Sequence, residues 1–150
     1  MQTLAQPRTI SCYDEDWLRW IDAQIRLLSE KRFSELDLEN LVEELDSMKT
    51  KELRTLKNRL RVLIMHLLKC EFQKSHPQNK WHATLVGQRE RIKALLDDSP
   101  SLRRKLVEYV QVNYPYARKM AALETQLPLA TFPLDNPYSI DQILDHDFMP

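Results

Sequence analysis

Four residues in the middle of the chain are of types that could hold a metal ion: His66, Cys70, His76 and His82. His66 and Cys70 are four apart, which places both on one helix face with ligand-like spacing. His82 lies just past a turn, where an antiparallel helix would pass nearby. The full spacing, H-x3-C-x5-H-x5-H, matches no common zinc module. A histidine beside the core, donating to a carbonyl or a tyrosine, is the commoner case. No metal or other cofactor is expected. Cys70 could act as a nucleophile with His66 as its base, but a reactive thiolate needs exposure. Cys70 falls on an apolar stripe and reads as a small core residue. The acidic pair Glu43–Glu44 could do general acid–base work. Adjacent helical side chains point about 100° apart, and the helix between Glu44 and His66 would separate them by roughly 33 Å. Complementarity with a helix N-terminus explains the pair better. A Glu-x-x-His pair, the mark of di-iron bundles, is absent. Trp17, Trp20 and Trp81 could form a ligand box, but aromatic residues at helical spacing are far more often core.

Composition narrows the class further. The 150 residues carry 22 basic and 22 acidic side chains, a balance that argues against a wholesale polyanion binder. The single glycine, Gly87, removes the P-loop and the dinucleotide-binding fingerprint. No β-branched alternation and no Asn-Gly or Asp-Gly hairpin is present, so strands are not expected. Cys12 and Cys70 make no disulfide framework and fit a reducing, cytoplasmic setting. The N-terminus has no apolar signal-peptide core, and the longest apolar run, Val62–Leu68, is interrupted by His66, far short of the ~20 residues of a membrane span.

The element that must position these residues is a long helix from Asp37 to about Phe72. Leu53, Leu56, Leu60, Leu63, Leu67 and Cys70 follow each other at steps of 3, 4, 3, 4 and 3, a single-face stripe widened by Val62, Ile64, Met65 and Leu68. Asp37 caps its start, with Glu39, Glu43 and Glu44 at the positive end of the dipole. The first half carries Leu38, Leu41, Val42, Leu45 and Met48. The step of 5 from Met48 to Leu53 slips the phase, so a bend or a change of packing partner is expected near Lys49–Glu52.

Around it, residues 1–12 read as a loose arm. A first helix is expected from about Tyr13 to Glu30, capped near Ser11 or Asp14. Trp17, Ile21, Ile25 and Leu28 form its apolar face, with Trp20 and Leu27 alongside. Lys31–Leu36 turns the chain, with Phe33 and Leu36 pinned to the core. Pro77 marks the connector Gln73–Asn79. A third helix, about Lys80 to Asp97, turns Trp81, Leu85, Ile92, Leu95 and Leu96 inward, and Gly87 in its interior suggests a close helix contact. Ser99-Pro100 opens a fourth helix to about Glu124, with a kink expected at Pro115. From Leu127 the tail is broken by prolines, and Ser139–Gln142 resembles a capping box for a short helix ending near Asp145. Its apolar residues, Phe132, Tyr138, Ile140, Ile143, Leu144 and Phe148, indicate docking. The expectation is one all-α domain over 1–150: an up-down bundle of four main helices, with one long central helix and residues 127–150 as a docked tail.

Charge is segregated although its sum is zero. Residues 14–46 hold 11 acidic and 4 basic side chains, and residues 49–93 hold 12 basic and 3 acidic ones. Facing segments or solvated faces account for this pattern. The sharper alternative is a nucleic-acid strip of Arg54, Lys57 and Arg61, which no recognisable base-reading motif accompanies.

The runs Asp16 with Trp20, FSELDLENLVEEL, RLRVLIMHLLK, WHATLVGQRERI, DDSPSL, ETQLPLATFP and NPYSIDQILDHDFMP resemble, in order and spacing, a bacterial helical family called domain of unknown function twenty-nine. The resemblance runs from about Tyr13 to Pro150. It implies a single all-helical domain and brings no activity. The family's motifs include Arg59, His66, Lys69 and Trp81, so a binding site is sought first where the long helix ends and the third begins. Members usually carry an aromatic residue in place of Cys70 and a basic one near His76, which weakens the metal reading.

The functional expectation is a cytoplasmic protein-interaction or scaffold module without catalysis. The rivals are a metal-dependent hydrolase or nuclease around His66, and a nucleic-acid binder through the basic strip. Helix lengths point to the partner. A first helix of about 18 residues beside one of about 35 spans roughly 27 Å against 52 Å. The Leu38–Met48 half then has a single neighbour, and two copies packing through Trp17, Trp20, Leu41 and Leu45 would cover each other as a homodimer. The competing cover is the tail, through Phe132, Tyr138, Ile143 and Phe148.

Overall fold

The computed structural model describes residues 12–150, and among them the regular structure is entirely helical. Residues 1–11 of the expected arm, with the Ser11 cap, lie outside the described residues, and Cys12 already belongs to a helical turn. The main helices are α2 (Trp17–Ser29), α3 (Leu38–Phe72), α4 (Asn79–Asp98) and α5 (Leu106–Thr125), with a single turn α1 (Cys12–Glu15) before them and a short α6 (Ile140–Leu144) in the tail. The residues divide into two compact units, one ending at Lys49 and the other Thr50–Pro150. The boundary falls inside α3, where the apolar stripe slips in phase.

In the first unit the expected single helix is split at Asp16. Its carboxylate accepts from the Arg19 amide and caps α2, so Asp14 lies inside α1 and is not the cap. A single 3-10 turn, Phe33–Glu35, reverses the direction after Lys31 adopts a left-handed φ of 57°. Asp37 then caps α3 by accepting from the Asn40 amide and side-chain amide. Tyr13 and Trp17 reach Glu44 while Trp20 and Gln24 reach Asp37, so α2 and the start of α3 run antiparallel. Phe33 is 60 % exposed and not pinned to any core; the 3-10 turn aims it outward.

The second unit holds the main core. The α3 stripe from Leu56 to Cys70 is buried against Trp81, Leu85, Ile92 and Leu96 of α4 and Leu106, Val110, Tyr114, Ala117 and Ala121 of α5. Lys69 meets Trp81 and Arg59 meets Gln88, so α4 runs antiparallel to α3. Lys57 meets Asn113 and Lys69 meets Glu124, so α5 reverses again. Fully burying each of these leucines contributes on the order of 1.5–3 kcal/mol, and their number makes this the stabilising centre of the unit.

Two local expectations are corrected. A Cβ on Gly87 would meet nothing within 4 Å, so the glycine marks no close helix contact. Ser99 makes no side-chain cap, and Pro100 opens a 3-10 segment, Pro100–Lys105, before α5 begins at Leu106. Pro115 sits inside α5 at an exposed position and the helix continues through it.

The tail docks as its apolar residues demand. Phe132, Tyr138 and Ile143 are buried, and Phe132 stacks edge-on against Phe72 at 5.5 Å. Ser139 and Gln142 form the reciprocal capping box of α6. Tyr114 donates to the Pro133 carbonyl at 2.6 Å, and Arg118 donates to those of Phe132 and Leu129. Tyr138 donates to Glu71; burial, with Glu71 adding to it, pushes its phenol well above the usual tyrosine range. The tail's anchoring contacts thus lie within the second unit.

Candidate functional site

Lys69 and Trp81 come together where α3 ends and α4 begins. The Lys69 ammonium stands 4.7 Å from the Trp81 ring centroid and 2.7 Å from Glu124, and His76 lies flat against the indole, 4.2 Å between centroids at 9°. Burial of Lys69 to 7 % exposure is tolerable because its charge is paired and its stem rests on apolar surface. Trp81 thus packs against both the Lys69 ammonium and the His76 ring.

His66 is engaged otherwise. Its Nδ1 is 2.9 Å from the Val62 carbonyl one turn back, so the ring donates within its own helix. Burial lowers its pKa from the ordinary 6.5, with the Lys69 charge acting the same way and the Val62 hydrogen bond opposing. Cys70 is fully buried and burial pushes its thiol up, away from nucleophilic character. Among the described residues no three His, Cys, Asp or Glu side chains are grouped so as to hold a metal ion. Arg59 turns away from this cluster toward Gln88, 3.4 Å distant, and lines a groove of about 300 Å³ with Thr55, Asn58 and Val62.

The basic strip is partly absorbed by α5. Arg61 lies 4.8 Å from the Tyr116 ring centroid and Lys57 6.0 Å from that of Tyr109, leaving Arg54 outermost. Among the described residues no helix is long and apolar enough to cross a membrane.

Two features were not singled out from the sequence. The first is Arg89. It is 1 % exposed, donates through Nε to the Ile143 carbonyl at 2.9 Å and through Nη2 to the Gln142 carbonyl at 3.1 Å, and leaves Nη1 buried without an acceptor. Burial lowers its pKa, opposed by the nearby Asp145. A signal existed: Trp81, Leu85, Arg89, Ile92 and Leu96 step by 4, 4, 3 and 4, so the arginine stands in the inward stripe of α4.

The second is the polar interior of the hairpin of α2 and early α3, a hairpin already expected to lack apolar cover. Its interior is stitched by polar contacts: Trp20 Nε1 to Asp37 at 3.0 Å, Gln24 to the Asp37 amide at 2.9 Å, and Tyr13 and Trp17 to Glu44. The Glu44 hydrogen bond raises the Tyr13 phenol to about 12. The stripe Leu18, Ile21, Ile25, Leu28, spaced 3, 4, 3, lies on the other side of α2, with Leu18 67 % and Ile25 56 % exposed. On α3, Leu38, Val42, Leu45 and Met48 are each at least 61 % exposed. Trp20 is therefore corrected: at 3 % exposed it belongs to the hairpin interior, where its indole holds the α3 cap, and it cannot lie on a contact face. Trp17, Ile25 and Leu28 of the expected apolar face are exposed, while Trp20, expected alongside them, is drawn inside with Gln24 by Asp37.

A family model, the domain of unknown function DUF29, matches residues 12–149. The chain belongs to that family. No curated protein and no solved structure matches it. The DUF29 match reaches into both compact units and takes in the six α-helices of the described residues.

Proposed function

We propose that this DUF29 protein is a cytoplasmic interaction module that self-associates through the outer face of its α2–α3 hairpin. The observation that carries the reading is the pair of apolar stripes at 3-and-4 spacing left exposed on adjacent helices, the pattern by which helices pack into a four-helix layer. Monomeric proteins rarely leave so contiguous an apolar face open.

A second copy fits this face for a reason of charge. Within α2, Arg19 and Arg26 stand against Asp22 alone, whereas α3 up to Met48 carries Glu39, Glu43, Glu44 and Asp46 with no basic residue. A two-fold axis that sets α2 of one protomer on α3 of the other brings a helix of net positive charge beside an acidic one. Trp17, Leu41 and Leu45 fall at this contact, and Trp20 supports it from inside the hairpin.

A charge swap tests the pairing. Arg19→Glu with Arg26→Glu should weaken the dimer measured by sedimentation, and adding Glu39→Arg with Glu43→Arg should restore it. Association unchanged by the first pair, or not recovered by the second, would refute the α2-on-α3 arrangement.

A further inference from the structure

We infer that the cavity between α4, the 3-10 segment after it and the tail binds a small organic carboxylate. It measures about 260 Å³ and is lined by Arg89, Lys93, Leu96, Arg103, Leu144 and His146. Three of these are permanent cations. The buried guanidinium of Arg89 has two nitrogens on the carbonyls that end α6, and its Nη1 has no acceptor within the protein. A buried donor without a partner is costly, and an occupant whose oxygen reached this guanidinium would offset that cost. Arg103, which lines the same cavity, is exposed and makes no hydrogen bond or ion pair with the described residues. Its planar fork is suited to a carboxylate.

The surrounding acids limit the ligand's charge. Lys93 is paired with Asp97 at 2.9 Å, the His146 imidazole sits 3.4 Å from Glu90, and Asp145 acts on Arg89. What remains uncompensated suits one negative charge better than the two of a phosphate monoester. Leu96 and Leu144 supply apolar wall for a short hydrocarbon stem, which inorganic anions lack. This site is independent of the hairpin and of self-association.

The probe is butyrate, titrated against chloride at equal ionic strength while the arginine side-chain N–H resonances are followed by NMR. The expected result is a saturable shift of the Arg89 and Arg103 signals that chloride does not reproduce. Loss of a charge-assisted bond should weaken affinity roughly tenfold in Arg103→Gln, and Lys93→Gln, which leaves the fold untouched at an exposed position, should weaken it in the same direction. A response to butyrate equal to that of chloride, or undiminished in both variants, overturns the site. Tighter binding of phosphate than of butyrate overturns the assignment to a carboxylate.

Discussion

Replacing Arg89 by methionine isolates what the buried guanidinium does for the tail. Methionine keeps the unbranched stem and the inward position but removes both donors to the Gln142 and Ile143 carbonyls. Those carbonyls end α6 and have no further helical donor, so they would be left desolvated at about 1–3 kcal/mol each. Relief of the guanidinium's own desolvation, and of the stranded Nη1, works in the opposite direction. The balance is a loss of about 2–4 kcal/mol, or roughly 4–16 °C in Tm for a chain of this size. Urea unfolding followed by circular dichroism measures it. Hydrogen exchange locates it: the Ile143 and Asp145 amides, bonded to Ser139 and Asp141, should lose protection first. An Arg89→Met protein as stable as the parent, with α6 still protected, would refute the view that Arg89 pins the tail.

Gly87→Ala should stabilise the protein by about 1 kcal/mol, raising Tm by roughly 2–4 °C, because the added methyl meets nothing and α4 gains propensity; a fall in Tm would show a contact at that position. The lowered pKa of His66 means its stabilising contribution is present above 6.5 and is lost as pH falls through the folded value, so stability should decline on mild acidification and His66→Gln should flatten that decline in urea titrations. Arg61→Ala should cost about 0.5–1 kcal/mol through the lost stacking on Tyr116, seen as a shifted urea midpoint.

The long helix was legible to the residue because its apolar steps and its Asp37 cap agree with one another, and tertiary packing had nothing to override. The α6 capping box was equally readable, since both of its partners lie within four residues. The face of α2 was not. Apolar spacing alone put Trp20 beside Ile25 and Leu28 on one contact face, whereas the bonds of Trp20 and Gln24 to Asp37, distant in sequence, draw Trp20 into the hairpin interior. Arg89 was hidden for a related reason. An arginine in an apolar stripe is read as exposed unless its acceptors are known, and these come from backbone carbonyls more than fifty residues away. Gly87 was over-read, because a helical glycine signals a close contact only if a neighbour is there. Of the suspected binding residues, Lys69 and Trp81 meet, while Arg59 and His66 are engaged separately.

Light scattering after size exclusion, at tens of micromolar protein, tests self-association most directly. The exposed stripes on α2 and α3 predict a mass twice the 17.9 kDa of the chain, falling to 17.9 kDa in Val42→Asp/Leu45→Asp with helical circular dichroism retained. A parent protein that elutes at 17.9 kDa across that concentration range would contradict the hairpin as a dimer interface.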